Sequence, residues 1–328
     1  MKTFVTGATG FVGKALIENL LSELYEVKAL VRQSSDTLPL AVEQVILGDL
    51  ADLALSNSSS LLREAFKDTE VVVHTAARVH VMHDDAFNPL AEFRKVNRDA
   101  TLVLARLAAE SGVKRFVFLS SIKVNGEMTR PSNPFTPDDV HVPDDPYGLS
   151  KYEAEQGLLA LAQETDMEVV IIRPPLVYGP GVKGNFSNMI KWMSKPVPLP
   201  FGAIHNQRSL VALDNLVSFI SLCVDREKSS EASNQVLLIS DGQDVSTTQL
   251  LRKVGQALNF KSPSGIKAWL VPVPVCIMTF CAKLIGRGDM ANRLFCSLQV
   301  DSSKARDSLG WTPVVTIDEQ LAKMPNET

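Results

Sequence analysis

Short apolar runs alternate with longer amphipathic stretches through the first half of the chain. Residues 3–6 read as a strand and 11–23 as a helix with one apolar face. Further strands are predicted at 26–31, 42–47, 70–74, 115–119 and 169–172, and further helices at 57–67, 92–111 and 147–164. The Val71-Val72-Val73 run is too continuous for a strand with one wet face and suits one buried on both sides. Strands alternating with helices predict an α/β, Rossmann-type, doubly wound parallel sheet. Right-handed crossovers then gather the C-terminal ends of its strands on one edge.

From residue 180 the pattern changes. Prolines and glycines crowd 180–202. Residues 210–213 and 236–239 still read as strands, with a helix at 214–224 between them. Elements within 209–240 can therefore return to the main sheet. Residues 246–323 read as mostly helical, ending in a short strand near 313–316. The expected division is a domain of residues 1–180 and a smaller, mostly helical one of 181–328. The apolar segment 269–285 is broken by Pro272 and Pro274, carries Lys283 and is short for a bilayer span, so it reads as a buried or interface helix.

Gly7, Gly10 and Gly13 lie three apart between the first strand and the first helix. Gly7 permits a tight turn, Gly10 lets a phosphate approach the backbone, and Gly13 lets the helix lie flat on the sheet. The helix then points its N–H groups and positive dipole end at that phosphate. The context of strand, glycine turn and helix marks a dinucleotide site.

The totals narrow the partners. With 328 residues, 45% hydrophobic, 21% charged and a net charge of −4, the chain has no basic excess of the kind nucleic-acid binding needs. Cys223, Cys276, Cys281 and Cys296 have no C-x-x-C spacing and no histidines nearby; they read as reduced core thiols, with no metal site expected. The N-terminus lacks a basic n-region and a small-residue cleavage site, so a cytoplasmic location is expected.

Tyr147 and Lys151 are four apart at a predicted helix start and share one face. A phenol, with a pKa of about 10, is a poor base at neutral pH; bringing it to about 7 needs roughly 4 kcal/mol of differential stabilisation, which a nearby ammonium favours. Ser121, at the end of the fifth strand, can hydrogen-bond the same substrate oxygen. Asn97 is a polar residue in an otherwise apolar-patterned helix.

Together these residues resemble the extended short-chain dehydrogenase/reductases of the NAD-dependent epimerase/dehydratase family, in the UDP-glucose 4-epimerase-like branch. The matching stretches are residues 6–13, Gly48-Asp49-Leu50, His74-Thr75-Ala76-Ala77, Val96-Asn97, Leu119-Ser120-Ser121, Tyr147 to Lys151 and residues 173–180, with weaker matches at 208–211 and 301–305. The resemblance implies a nucleotide-sugar-binding role for 181–328 and a catalytic set of Ser121, Tyr147, Lys151 and Asn97. It implies a cofactor site of Gly7, Thr9, Gly10, Phe11, Val12, Gly13, Arg32, Asp49, Leu50, Thr75, Ala76, Ala77, Asn97, Ser120, Tyr147, Lys151 and Pro174. Asp49 and Leu50 would flank the adenine, and Lys151 would bond the nicotinamide ribose. Ser121, Asn185, Arg208 and Arg293 (or Arg287) would hold a UDP-sugar. A homodimer through residues 92–111 and 147–164 is also implied.

Departures from the family pattern bear on the reaction. Dehydratases of the group carry an Asp-Glu pair just after the strand-five serine or threonine; here Ile122-Lys123 stands there, and isoleucine cannot transfer a proton. Dehydration is therefore rejected; decarboxylation is not excluded by this, but no residue argues for it, which leaves chemistry at a sugar carbinol, and the resemblance implies C4 as the usual position. A 4-epimerase uses NAD to form a transient 4-keto sugar; a 4-keto-sugar reductase of surface-polysaccharide synthesis uses NAD(P)H. The overall resemblance favours the epimerase. Arg32 replaces the acidic residue usual at the end of strand two and suits a 2′-phosphate, which keeps NADP and the reductase open; Asp36 is near enough to keep NAD. A non-enzymatic dinucleotide sensor is the other class considered, and the presence of both Tyr147 and Lys151 opposes it. His80 and His83 follow strand four near the crevice; surface histidines are the favoured reading, with contact to the sugar as the alternative.

Overall fold

In the computed structural model, strands form where both faces of a short apolar run find cover. β1 (Lys2–Thr6), β2 (Glu26–Val31), β3 (Glu43–Ile46), β4 (Val71–His74), β5 (Arg115–Leu119) and β6 (Glu168–Arg173) lie in one sheet. β7 (Leu176–Tyr178) and β8 (Leu210–Ala212) pair with each other, and β9 (Gln235–Leu238) returns to the main sheet beside β6. The seven-stranded order is β3-β2-β1-β4-β5-β6-β9, all parallel. The structure describes residues 1–53, 59–79, 88–139, 141–193, 197–258, 270–284 and 288–324.

Alternate residues of each strand enter opposite layers. Val5, Val71, Val73 and Val117 face one side, against Leu16, Leu20 and Phe219. Phe4, Val72, Phe116 and Phe118 face the other, against Leu62, Leu104 and Leu158. The first layer is built from α1 (Phe11–Ser22); the second from α2 (Ser59–Phe66), α3 (Pro89–Arg94), α4 (Thr101–Glu110) and α5 (Pro146–Glu164). α6 (Asn185–Met193) lies beyond β7, and α7 (Leu213–Val224) packs on α1 in the first layer. The expected return of elements within 209–240 is thus seen in α7 and β9.

The helix expected over 92–111 starts earlier. Pro89 occupies its first turn and Asn88 caps it by accepting the Ala91 N–H at 3.2 Å. A π-helical turn, Lys95–Ala100, joins α3 to α4; such turns are rare and concentrate at functional sites.

The later helices are α8 (Thr247–Ala257), α9 (Val275–Leu284), α10 (Gly288–Phe295), α11 (Ser303–Leu309) and α12 (Ile317–Ala322). Tyr178, Phe186, Ile190, Leu250, Val254 and Leu321 share a third core. Residues 297–301 stitch this part to the loop after β5. The Ser209 N–H donates to the Leu298 carbonyl at 2.8 Å, and the Phe135 N–H donates to the Gln299 carbonyl at 2.8 Å.

Three expectations are corrected. Residues 313–316 are not a strand: Asn215 Oδ1 accepts from the N–H groups of Val314 and Val315 (2.8 and 2.9 Å), and its amide donates to the Val315 carbonyl (2.9 Å), so one side chain replaces a strand partner. Within 269–285, α9 is not buried; Met278 is covered, but Ile277 (51%), Phe280 (63%) and Leu284 (71%) are exposed. Of the four thiols, Cys223 alone is buried, and Cys276 and Cys281 are on the surface because α9 is. Among the described residues no helix is long and apolar enough to cross a membrane, and no group of three or more metal-ligating side chains occurs.

Candidate active site

The glycine turn has the shape its spacing predicts. Gly7 sits at φ +70°, and a Cβ there would lie 2.6 Å from the Ala76 nitrogen. A Cβ on Gly13 would lie 2.2 Å from the Gly7 carbonyl oxygen, so helix and strand approach through that position. Gly10 is the N-cap of α1, which has no side-chain cap, so Phe11, Val12 and Gly13 begin the helix beside an open backbone. Ala8 is buried and Thr9 exposed beside them. Thr75, after β4, donates its hydroxyl to the Thr6 carbonyl at 2.7 Å, and the Ala76 N–H reaches the Thr6 hydroxyl at 3.4 Å; Ala77 follows, half-buried. This cradle, in which added Cβ atoms would clash, fits a dinucleotide pyrophosphate.

Along the same edge, Arg32 follows β2 with its side chain exposed, and no described residue pairs with it. Asp49 caps a short 3₁₀ turn by accepting the Ala51 N–H at 2.9 Å. Leu50 is buried in the second core.

Ser121 caps the 3₁₀ turn that follows β5, and its hydroxyl accepts the Lys123 N–H at 3.3 Å. Tyr147 lies in the first turn of α5, which Asp145 caps by accepting the Gly148 N–H at 3.1 Å. The Tyr147 ring is half-buried, edge-on to Phe93 at 5.9 Å. Burial pushes its phenol up to about 12; the facing Ser121 hydroxyl opposes that rise, and the charge of Asp145 adds to it.

The Lys151 ammonium is anchored on the sheet. It donates to the Leu119 carbonyl at 2.9 Å and stands 4.4 Å from the centre of the Phe118 ring. Burial pulls it down to about 7, and the charge of Glu155, one turn on, opposes that.

Two expected site residues are occupied within the protein. Asn97 is fully buried in the π turn; its Oδ1 accepts the Arg78 N–H at 2.8 Å, and its amide donates to the Arg78 carbonyl and the Ser150 hydroxyl, both at 3.0 Å. Ser120 donates its hydroxyl to Glu155, which also takes a bidentate ion pair from Arg173. The Pro174 carbonyl accepts the Ile122 N–H at 3.0 Å, fixing the turn after Ser121 to the end of β6.

Sequence reasoning missed the buried Glu155–Arg173 pair, although Glu155 lies four residues after Lys151 on the same helix face. It also missed the role of His74. The His74 imidazole bonds the Thr6 hydroxyl at 2.7 Å and the Thr101 hydroxyl at 2.9 Å, and burial pulls its pKa down to about 3. Arg208 is half-buried and donates to the Cys296 carbonyl at 3.1 Å, with burial lowering its pKa. The side chains of Asn185 and Arg293, and all of Arg287, His80 and His83, lie outside the described residues.

A parallel sheet with its crossing point between β1 and β4, a glycine cradle there, and serine, tyrosine and lysine on the same edge define the extended short-chain dehydrogenase/reductase class. The chain belongs to the NAD dependent epimerase/dehydratase family, whose model matches residues 3–238. It is 47% identical over 317 residues, 96% of this chain and 92% of the relative, to a UDP-glucose 4-epimerase of Vibrio cholerae. Among solved structures it resembles the UDP-glucose 4-epimerase of Thermotoga maritima (TM-score 0.76, 24% identity, 98% of this chain and 97% of that one). It also resembles a Bacillus cereus UDP-glucuronic acid 4-epimerase in complex with NAD (TM-score 0.74, 21% identity, 99% and 97% covered).

Proposed function

We propose that this chain is a UDP-hexose or UDP-N-acetylhexosamine 4-epimerase that works on bound NAD. The carrying observation is the 47% identity to a UDP-glucose 4-epimerase across 96% of the chain, joined to Ser121, Tyr147 and Lys151 on the binding edge of the sheet. Gly7, Thr9, Gly10 and the first turn of α1 would hold the pyrophosphate, with Arg32, Asp49 and Leu50 around the adenosine. Thr75, Ala76, Ala77, Ser120, Lys151 and Pro174 would lie along the nicotinamide half. When bound, NAD supplies hydride exchange at C4 and a positive ring that favours the Tyr147 phenolate.

The protein's own part is proton transfer and orientation. Ser121 and Tyr147 bind the sugar's 4-oxygen; Tyr147 takes its proton and later returns it. Lys151 is anchored by the Leu119 carbonyl and contributes positive charge in a buried setting. Asn97 holds the loop after β4 against α5, and so positions rather than transfers. Residues 181–328, with Asn185, Arg208 and Arg293, form the UDP-sugar domain of this proposal. A cytoplasmic homodimer packed through residues 92–111 and 147–164 completes it.

Purified protein with no added cofactor is expected to interconvert UDP-glucose and UDP-galactose or their N-acetyl forms. Failure with all four, in protein shown to carry its dinucleotide, overturns the reading. One observation favours a second reading: Arg32 is exposed with no described carboxylate beside it, which suits NADP and a 4-keto-sugar reductase of polysaccharide synthesis. Release of NADP on denaturation, with NADPH consumption only on a 4-keto sugar nucleotide, would select it.

A further inference from the structure

The turn that bears Ser121 and the helix that bears Tyr147 are joined at one place. Lys123, two residues after Ser121, extends its ammonium to Asp145 Oδ1 at 3.1 Å and to Glu127 Oε1 at 3.0 Å. Asp145 is the cap of α5, two residues before Tyr147, and uses the same oxygen to accept the Gly148 N–H. Gly148 completes the contact. A Cβ there would lie 2.5 Å from Asp145 Oδ2 and 3.2 Å from the Lys123 carbonyl oxygen, so the backbones meet where a side chain would part them. Lys123 and Asp145 are each about three-quarters buried at the side chain (22% and 25% exposed), where a charge pair is less screened than on an open surface.

We propose that Lys123 is a positioning residue for proton transfer: it clamps the Ser121 turn to the first turn of α5 and neutralises Asp145 beside the Tyr147 phenol. Dehydratases of the group carry a carboxylic acid at this position of the motif. Here an ammonium stands in its place, turned to the helix cap. Asp145 and Lys151 flank Tyr147 on α5, the latter committed to the Leu119 carbonyl. Lys123 and Glu127 come from the strand-five side. Arg78, from the loop after β4, stands 5.6 Å from the centre of the Phe93 ring, which itself packs edge-on to Tyr147 at 5.9 Å. Of these, Asp145 acts on the phenol with a sign that holds the proton on, and Lys123 is bound to it directly.

The proposal rests on Tyr147 as the proton-transferring group, so Tyr147→Phe is measured alongside. With NAD-loaded protein and UDP-glucose, Lys123→Met leaves the Asp145 charge uncompensated. The acidic limb of the pH–rate profile should then move up by about half to one unit, and kcat at neutral pH should fall about 3- to 10-fold with KM unchanged. Lys123→Arg should restore the wild-type limb. Asp145→Asn, which keeps a capping side chain, should move the limb down, and the double variant should return it towards wild type. Amide exchange over residues 121–125 and 146–149 should rise in Lys123→Met, a readout that needs no turnover. A Lys123→Met profile that superimposes on wild type, or a shift that Asp145→Asn does not cancel, overturns the proposal. If Lys123→Met does not fold, Asp145→Asn alone decides, and an unmoved limb overturns it. Retained turnover in Tyr147→Phe would instead bring down the functional reading, and the exchange measurement would then be the surviving test of the clamp.

Discussion

The His74 ring accepts the Thr6 hydroxyl at 2.7 Å, linking the end of β4 to the end of β1. The bond directions are set from the far side. Thr101 donates to the Asn97 carbonyl at 2.9 Å, so its oxygen accepts from His74 Nε2–H, and Nδ1 is left to accept from Thr6. Asn97 donates to Ser150, and Ser150 donates to the Tyr147 carbonyl at 2.8 Å. One buried chain of hydrogen bonds therefore runs from the strand before the glycine turn to the helix start that bears Tyr147.

His74 should govern acid stability. Its folded pKa, about 3, lies below the ordinary value of 6.5, so the unfolded chain binds the proton first. Its contribution to stability is full above about pH 6.5 and is lost as pH falls towards 3, by an amount on the order of a few kcal/mol. Melting temperature measured from pH 8 to pH 4 should fall less steeply in His74→Phe than in wild type. Parallel slopes would contradict the burial of a neutral imidazole.

The glycines should separate folding from cofactor binding. In Gly10→Ala the new Cβ meets only the Gly7 carbonyl group, its oxygen at 3.0 Å and its carbon at 4.0 Å, and the fold should survive while dinucleotide occupancy drops. In Gly13→Ala the Cβ would lie 2.2 Å from that oxygen, so both melting temperature and occupancy should fall. Retained dinucleotide in Gly10→Ala, read by mass spectrometry after denaturation, would count against a pyrophosphate at this turn.

Tyr147→Phe should lower turnover by about 10²- to 10⁴-fold while leaving the dinucleotide bound. Removing the hydroxyl leaves the ring's edge-on contact with Phe93 in place. Measuring bound cofactor and kcat on one preparation checks this.

The buried pair of Glu155 and Arg173 should be costly to break. Glu155 is fully buried and takes two guanidinium nitrogens of Arg173 and the Ser120 hydroxyl. Glu155→Ala leaves the guanidinium charge uncompensated and should cost about 3–5 kcal/mol in urea unfolding. A loss under 1 kcal/mol would mean that water or Asn125 takes over the pairing.

The sheet was legible in the chain because each strand is a short apolar run that alternates between two layers, and that period is local. The glycine turn was legible for the same reason: three backbone positions without side chains, set by spacing alone. Tyr147, Lys151 and Ser121 were legible as a motif, and in the structure the Ser121 hydroxyl opposes the rise in the Tyr147 pKa. What each side chain bonds was not. Lys151 turns to the Leu119 carbonyl, Asn97 to the Arg78 backbone, Ser120 to Glu155 and Lys123 to Asp145, across separations of 32, 19, 35 and 22 residues. Those choices depend on which backbone groups and charges other strands and helices leave within reach once the core has packed. By itself the sequence determined the parallel sheet, the turn and the set of reactive side chains. Only the tertiary structure decided their partners and therefore their pKa values, because desolvation and hydrogen bonding are properties of the packed neighbourhood and not of the residue.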